Sequence, residues 1–255
     1  MPRADRGRAG LAAFLCLVVL AAMATATVTW GADVARRVPW LKVERVEVSG
    51  AWLLTPQEVL VASGIRRGQH LLDERGTWEK ALREHPVIAE ARVTRRPPST
   101  LRVSIVEKSP VAFVLDGSLR PATGRGEILP IDPSKVPLDL PVLRGPSNDS
   151  TDQGTLHRML AETQHITELA PELIGEISEI HPFSEEGEAL VLIHPIGEII
   201  MPFGATARRV SELRAVLADL PSRWGESGTD FGRSRLDLRF ADQVVVRNPS
   251  TDGTS

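Results

Sequence analysis

Pro98-Ser99-Thr100-Leu101-Arg102-Val103-Ser104-Ile105-Val106-Glu107-Lys108-Ser109-Pro110 is the stretch on which the fold turns. Leu101, Val103 and Ile105 alternate with Arg102, Ser104 and Val106, the period of a strand with one buried face. Pro97-Pro98-Ser99 turns the chain just before it, and Ile88 to Arg95 reads as another strand upstream of that turn. Further back, Val43 to Val48 reads as a first strand, closed by Ser49-Gly50.

Two helices fit between the first and second strands. Thr55-Pro56-Gln57-Glu58 is a helix start: Thr55 caps, Pro56 suits the first helical position and Glu58 completes a capping box. Gly64 ends that helix. Thr77 is expected to cap the second, in which Trp78, Ala81, Leu82 and His85 share one face at helical spacing. Pro86 stops it. The order is strand, helix, helix, strand, strand, and two helices would cover one face of a three-stranded sheet.

Upstream of this unit, Leu11 to Trp30 carries no charge. As a helix, twenty residues rise about 30 Å, the thickness of a bilayer's hydrocarbon core. Arg3, Arg6 and Arg8 precede the stretch against a single acid, Asp5, so this flank is expected to stay in the cytoplasm and the rest to be exported. Small residues at Ala22, Ala24 and Ala26 also fit a cleaved signal peptide; the length of the apolar run favours an uncleaved anchor. The reading is therefore a cytoplasmic tail over 1–10, a transmembrane helix over 11–30 and a linker over 31–40. The whole chain has 255 residues and a net charge of −3, which implies no strong attraction to nucleic acid. Its one cysteine, Cys16, falls in the apolar run, so the exported part has no internal disulfide.

Beyond Pro110, Val111 to Asp116 reads as a strand and Leu119 to Pro130 as a glycine-rich hairpin. Leu140-Pro141-Val142-Leu143-Arg144-Gly145 follows. A helix from Thr155 carries Leu156, Met159, Leu160, Ile166 and Leu169. Ile174, Ile177 and Ile180 then fit a strand with a bend. Ala189 to Ile193 and Glu198 to Phe203 form a hairpin turning at His194 to Gly197. A helix from about Thr206 presents Val210, Leu213, Leu217 and Leu220, and the chain closes with Leu236 to Phe240 and Gln243 to Arg247. Residues 248–255 read as a disordered tail by composition.

Val46-x-Val48-x-Gly50, Leu82 to Ile88, and the stretch from Pro98 to Pro110 resemble a POTRA domain, and most nearly that of the FtsQ/DivIB family of bacterial division proteins. Gly126-Glu127-Ile128-Leu129-Pro130, Leu140 to Gly145 and Leu236 to Phe240 continue the resemblance. It implies an α+β protein: a transmembrane helix, a POTRA-like β-α-α-β-β domain over 41–108, and a mixed, mostly antiparallel β domain with two helices over 109–247. It also implies a single-pass inner-membrane scaffold at the division septum, with its C-terminal part outside the cytoplasm. There it would bind FtsB-like and FtsL-like partners through the second domain, while the POTRA-like domain helps recruit it.

No catalytic constellation emerges. The six histidines are scattered, without H-E-x-x-H; His157 and His165 share a helix face as a solvated pair. No G-x-S-x-G elbow is present. The pairs Asp73-Glu74 and Glu185-Glu186 read as solvated loops, and Arg95-Arg96 and Arg208-Arg209 as solubilising spots. No metal ligand, cofactor or small-molecule substrate is implied. Trp78 reads as core and Trp52 as exposed. A transport component is the other reading, since POTRA domains also precede outer-membrane barrels; the helices that interrupt the later strands speak against it. An envelope enzyme such as a wall hydrolase lacks a nucleophile or metal cluster.

The expected partner site is at the C-terminal end. Leu236, Leu238 and Phe240 alternate with Asp237 and Arg239, so one face packs on the core. Gln243, Val244, Val245, Val246 and Arg247 form a last strand, which is expected at a sheet edge able to accept a partner strand. The resemblance places FtsB here, with Phe240 as aromatic anchor; the other reading makes Phe240 ordinary core, and Arg239 pairs either with an acidic residue of the partner or with the neighbours of Asp237 on the solvent face.

Overall fold

A computed structural model describes residues 17–21, 25, 41–145, 152–183, 188–224 and 234–247. The chain divides into two compact units, with the boundary along the sequence between Glu107 and Lys108. Most of the predicted span over 11–30 lies outside the described residues; the described ones, 17–21 and 25, are helical. Among the described residues no helix is long and apolar enough to cross a membrane.

The first unit has strands β1 (Arg45–Ser49), β2 (Ile88–Arg96) and β3 (Thr100–Glu107), with helices α1 (Pro56–Ser63) and α2 (Arg75–Arg83). The sheet order is β1-β3-β2, with β1 parallel and β2 antiparallel to the central β3. Leu101, Val103 and Ile105 of β3 pack in one core with Val59 of α1 and Trp78 and Leu82 of α2. The capping box at Thr55 and Glu58 is complete, and Gly64 closes α1 in the left-handed conformation. The second helix departs from its expected cap: α2 starts at Arg75, with Glu74 before it and no side-chain cap, so Thr77 is already inside. Trp78 is only 5% exposed and Trp52 is 53% exposed.

Glu107 explains why the β3 stretch ends as it does. Its carboxylate is 5% exposed, and it accepts from the backbone N–H groups of Trp52, Leu53 and Leu54 at 2.9, 2.7 and 2.9 Å. One charged side chain thus satisfies three donors of the loop between β1 and α1, which would otherwise carry an unpaired-group penalty. Gly50, at the start of that loop, has φ +85°, and a Cβ there would fall 2.0 Å from the Ile105 carbonyl oxygen. Only glycine fits this approach.

The second unit is one eight-stranded sheet. Its strands are β4 (Pro110–Asp116), β5 (Ser118–Thr123), β6 (Val142–Leu143), β7 (Glu179–Pro182), β8 (Ala189–His194), β9 (Gly197–Pro202), β10 (Ser234–Asp237) and β11 (Val245–Arg247). The order is β11-β10-β9-β8-β7-β6-β4-β5, so the sheet is open, with β11 and β5 at its edges. The pairs β4·β6, β6·β7 and β9·β10 are parallel and the others antiparallel. Helices α3 (Asp152–Leu169) and α5 (Ala207–Trp224) pack Met159, Leu160, Ile166, Val210, Leu213 and Leu220 against it.

The sequence reading of two helices and a bent strand through Ile174, Ile177 and Ile180 is corrected here. A third helix, α4 (Pro171–Gly175), holds Ile174, Ile177 lies in the connection, and only Ile180 is in a strand. Pro171 at the start of α4 fixes a helical φ after the chain leaves α3 at Ala170. Leu173, Ile174 and Ile177 all reach the core, so burial alone gave no sign of which backbone carried them.

A candidate partner-binding edge at the C-terminus

β9 seats β10 in parallel, with Gly197 opposite Ser234. A Cβ on Gly197 would come 1.9 Å from the Ser234 carbonyl oxygen, so glycine lets the two backbones approach. β10 buries Leu236 and Asp237 and ends there. Leu238 follows, buried and held by its N–H to the Ile200 carbonyl at 2.9 Å. The chain then turns through Ala241-Asp242 and returns as β11, antiparallel to β10, with Leu236 opposite Val246 and Asp237 opposite Val245.

The expected alternation from Leu236 to Phe240 therefore breaks. The strand stops at Asp237 and the turn carries Phe240 outward, where it is 47% exposed. Phe240 is not core. Val244 packs on the core and Val245 is half-buried, while Gln243, Val246 and Arg247 are exposed. Gln243 and Val244 lie before the strand, so the paired edge is the three residues of β11.

Arg239 is engaged within its own unit. It forms a fork on Asp237, Nε to Oδ1 at 3.0 Å and Nη2 to Oδ2 at 2.7 Å, and its guanidinium lies 4.2 Å from the centroid of the Phe183 ring. The Asp237 carboxyl is held below the ordinary aspartate range, first by the side-chain hydrogen bond from Arg239. Arg239 thus braces β10 to the end of β7.

The residue that sequence reasoning missed is Arg209. Arg208 is exposed and pairs with Glu212, as a solubilising spot should. Arg209 is 8% exposed and points inward. Its Nη2 donates to the carbonyls of Leu238 at 2.6 Å and Gln243 at 3.2 Å, and its Nη1 to Glu212. It thereby ties both ends of the turn that displays Phe240. Its position four residues before Leu213, on the inner face of α5, was the available signal. At the other end of the connection from β9 to α5, Glu162 accepts from the N–H groups of Gly204 at 2.8 Å and Ala205 at 3.1 Å. His165 joins the same support through Nε2 and the Ala205 carbonyl at 2.9 Å, while His157 is exposed, so they are not a solvated pair. Arg95 likewise turns its Nη2 onto the Leu72 and Asp73 carbonyls, at 3.2 and 2.6 Å.

The POTRA domain, FtsQ-type, family model matches residues 41–108. Over 262 residues the chain is 32% identical to the cell division protein FtsQ of Anaeromyxobacter sp. (strain K), covering 97% of this chain and 88% of that protein. The chain belongs to the FtsQ/DivIB family. A second relative of the family, the cell division protein DivIB of Geobacillus kaustophilus, is 31% identical over 184 residues, 70% of this chain and 68% of that one. The cell division protein FtsQ of Geotalea daltonii is 25% identical over 215 residues, covering 82% and 76%. In this FtsQ/DivIB chain the geometry at the C-terminus is a short open strand beside an exposed aromatic, on a turn clamped from below by a buried arginine.

Proposed function

We propose that this chain is a single-pass division scaffold that binds FtsB-like and FtsL-like proteins at the septum and couples earlier to later division proteins in controlling septal wall synthesis. The apolar stretch 11–30 would hold it in the cytoplasmic membrane with the N-terminus inside. The POTRA-type unit would recruit it, and the second unit would take its partner by strand addition to β11, with Phe240 as the anchor beside it. The observation that carries this reading is the open edge at β11 next to a phenylalanine that the fold leaves in solvent. An unpaired edge strand offers N–H and C=O groups to an incoming strand, and an exposed ring nearby supplies the apolar contact. The test is depletion of the protein in living cells. Filaments with nucleoids separated and septa absent are expected; cells that keep dividing at normal length would overturn the reading.

A further inference from the structure

We propose that the pole at which the chain enters its first unit is a membrane-facing surface that docks on anionic phospholipid headgroups. Three loops build this pole. Residues 41–43 are bonded to the loop 68–71: Val43 N–H donates to Gln69 at 2.8 Å, Leu71 N–H to Leu41 at 2.7 Å and Gly68 N–H to Val43 at 2.9 Å. The turn before β3 joins them, its Ser99 carbonyl accepting from the N–H groups of Glu44 at 2.9 Å and Arg45 at 3.2 Å. Strand register then sets Arg45 and Arg96 on either side of Thr100, at the same end of the sheet.

Five cations stand exposed on these loops and strand ends: Lys42, Arg45, Arg66, Arg67 and Arg96. None makes an ion pair among the described residues. The exposed acids beside them are Glu44, Asp73 and Glu74, and the Asp73 carboxylate accepts from the His70 N–H at 3.1 Å, which leaves the cations in excess. At the far end of the sheet, exposed Val106 stands opposite an exposed acid, Glu90, so the charge there is of the opposite sign. Such a one-sided cluster attracts an anionic surface within roughly a Debye length, about 8 Å at physiological salt.

Tether length selects the bilayer as the occupant. The inference rests on the reading that residues 11–30 anchor the chain. The connector 31–40 then spans at most about 36 Å fully extended, and it brings Arg36 and Arg37 of its own. The basic pole is the part of the unit where that connector arrives. Lipid phosphates are therefore present beside it continuously, at high effective concentration.

The test uses the full chain in nanodiscs, of phosphatidylcholine alone or mixed with phosphatidylglycerol, with Cys16→Ser and a nitroxide at Ser99→Cys or Val106→Cys. A paramagnetic headgroup chelate reports depth. Strong relaxation is expected at Ser99 in the anionic discs, with loss in neutral discs and in the variant Arg45→Gln/Arg66→Gln/Arg67→Gln/Arg96→Gln, and none at Val106. Equal relaxation at Ser99 in both lipids, no effect of the four substitutions, or stronger relaxation at Val106 would each overturn the docking; an unchanged depth with loss of an acidic protein's binding would assign the pole to protein instead. A chain that does not co-elute with the discs rejects the anchor itself, which separates that failure from failure of the docking.

Discussion

The guanidinium of Arg209, on α5, donates to the carbonyl of Leu238, on the turn that follows β10, at 2.6 Å. The same group reaches the Gln243 carbonyl, so the turn bearing Phe240 is fastened at both ends by one side chain. Lysine keeps the charge but lacks the planar fork that serves two acceptors at once. Arg209→Lys is expected to destabilise the second unit by about 1–3 kcal/mol, the range for leaving a buried acceptor unsatisfied. It should also speed amide exchange across Val245 to Arg247. Thermal melting and exchange measured on the same variant check this; unchanged values for both would show that the clamp holds nothing.

Asp237 and Arg239 make a pH-dependent brace. The folded pKa of Asp237 is depressed, so its contribution is fully present above the unfolded value of about 3.9 and is lost as pH falls through the lower folded value. The stack of Arg239 on Phe183 should therefore persist through neutral and mildly acidic pH and loosen only in stronger acid. A carboxyl-carbon chemical-shift titration should give a midpoint below the ordinary aspartate range. A midpoint at or above it would mean that Arg239 does not hold the carboxylate.

Glu107 is expected to govern the first unit's stability through the loop from Trp52 to Leu54. Glu107→Gln keeps the shape but removes the charge and turns one acceptor into a donor. A loss of about 1.5–3 kcal/mol follows from hydrogen bonds to a charged group. Denaturant unfolding followed by tryptophan fluorescence measures it, and a change under about half a kcal/mol would contradict the account of three shared donors.

Trp78 fills the core of the same unit. Trp78→Ala should cost about 3–5 kcal/mol. An unmoved melting transition would show that the ring is not a packing element.

Local rules carried the first unit almost completely. The capping box at Thr55 and Glu58, the alternation of Leu101, Val103 and Ile105 and the inward face of Trp78 and Leu82 all involve neighbours close in sequence, so the pattern states the structure directly. The second unit was legible where a hairpin or a helix face is local, as at Ala189 to Pro202 and Val210 to Leu220. It was not legible where long-range packing decides. Ile174 and Ile177 are buried whichever backbone carries them, and α4 exists because Pro171 restarts a helix. Arg209 looks like half of a surface pair until the turn 29 residues later is placed over it. Phe240 continues an alternation on paper, but β10 has ended by Leu238 and the turn reverses its direction.

The central claim is that β11 is a strand-accepting edge with Phe240 as its anchor, and a binding titration tests it most directly. The full chain in detergent is titrated with an FtsB-like peptide, alongside Val245→Pro, which removes a donor from the strand, and Phe240→Ala, which removes the ring. Circular dichroism confirms that each variant is folded. The account expects Phe240→Ala to weaken binding by at least 2 kcal/mol, about thirtyfold, and Val245→Pro to abolish it. Folded variants that bind as tightly as the unaltered chain would place the partner site elsewhere on the molecule.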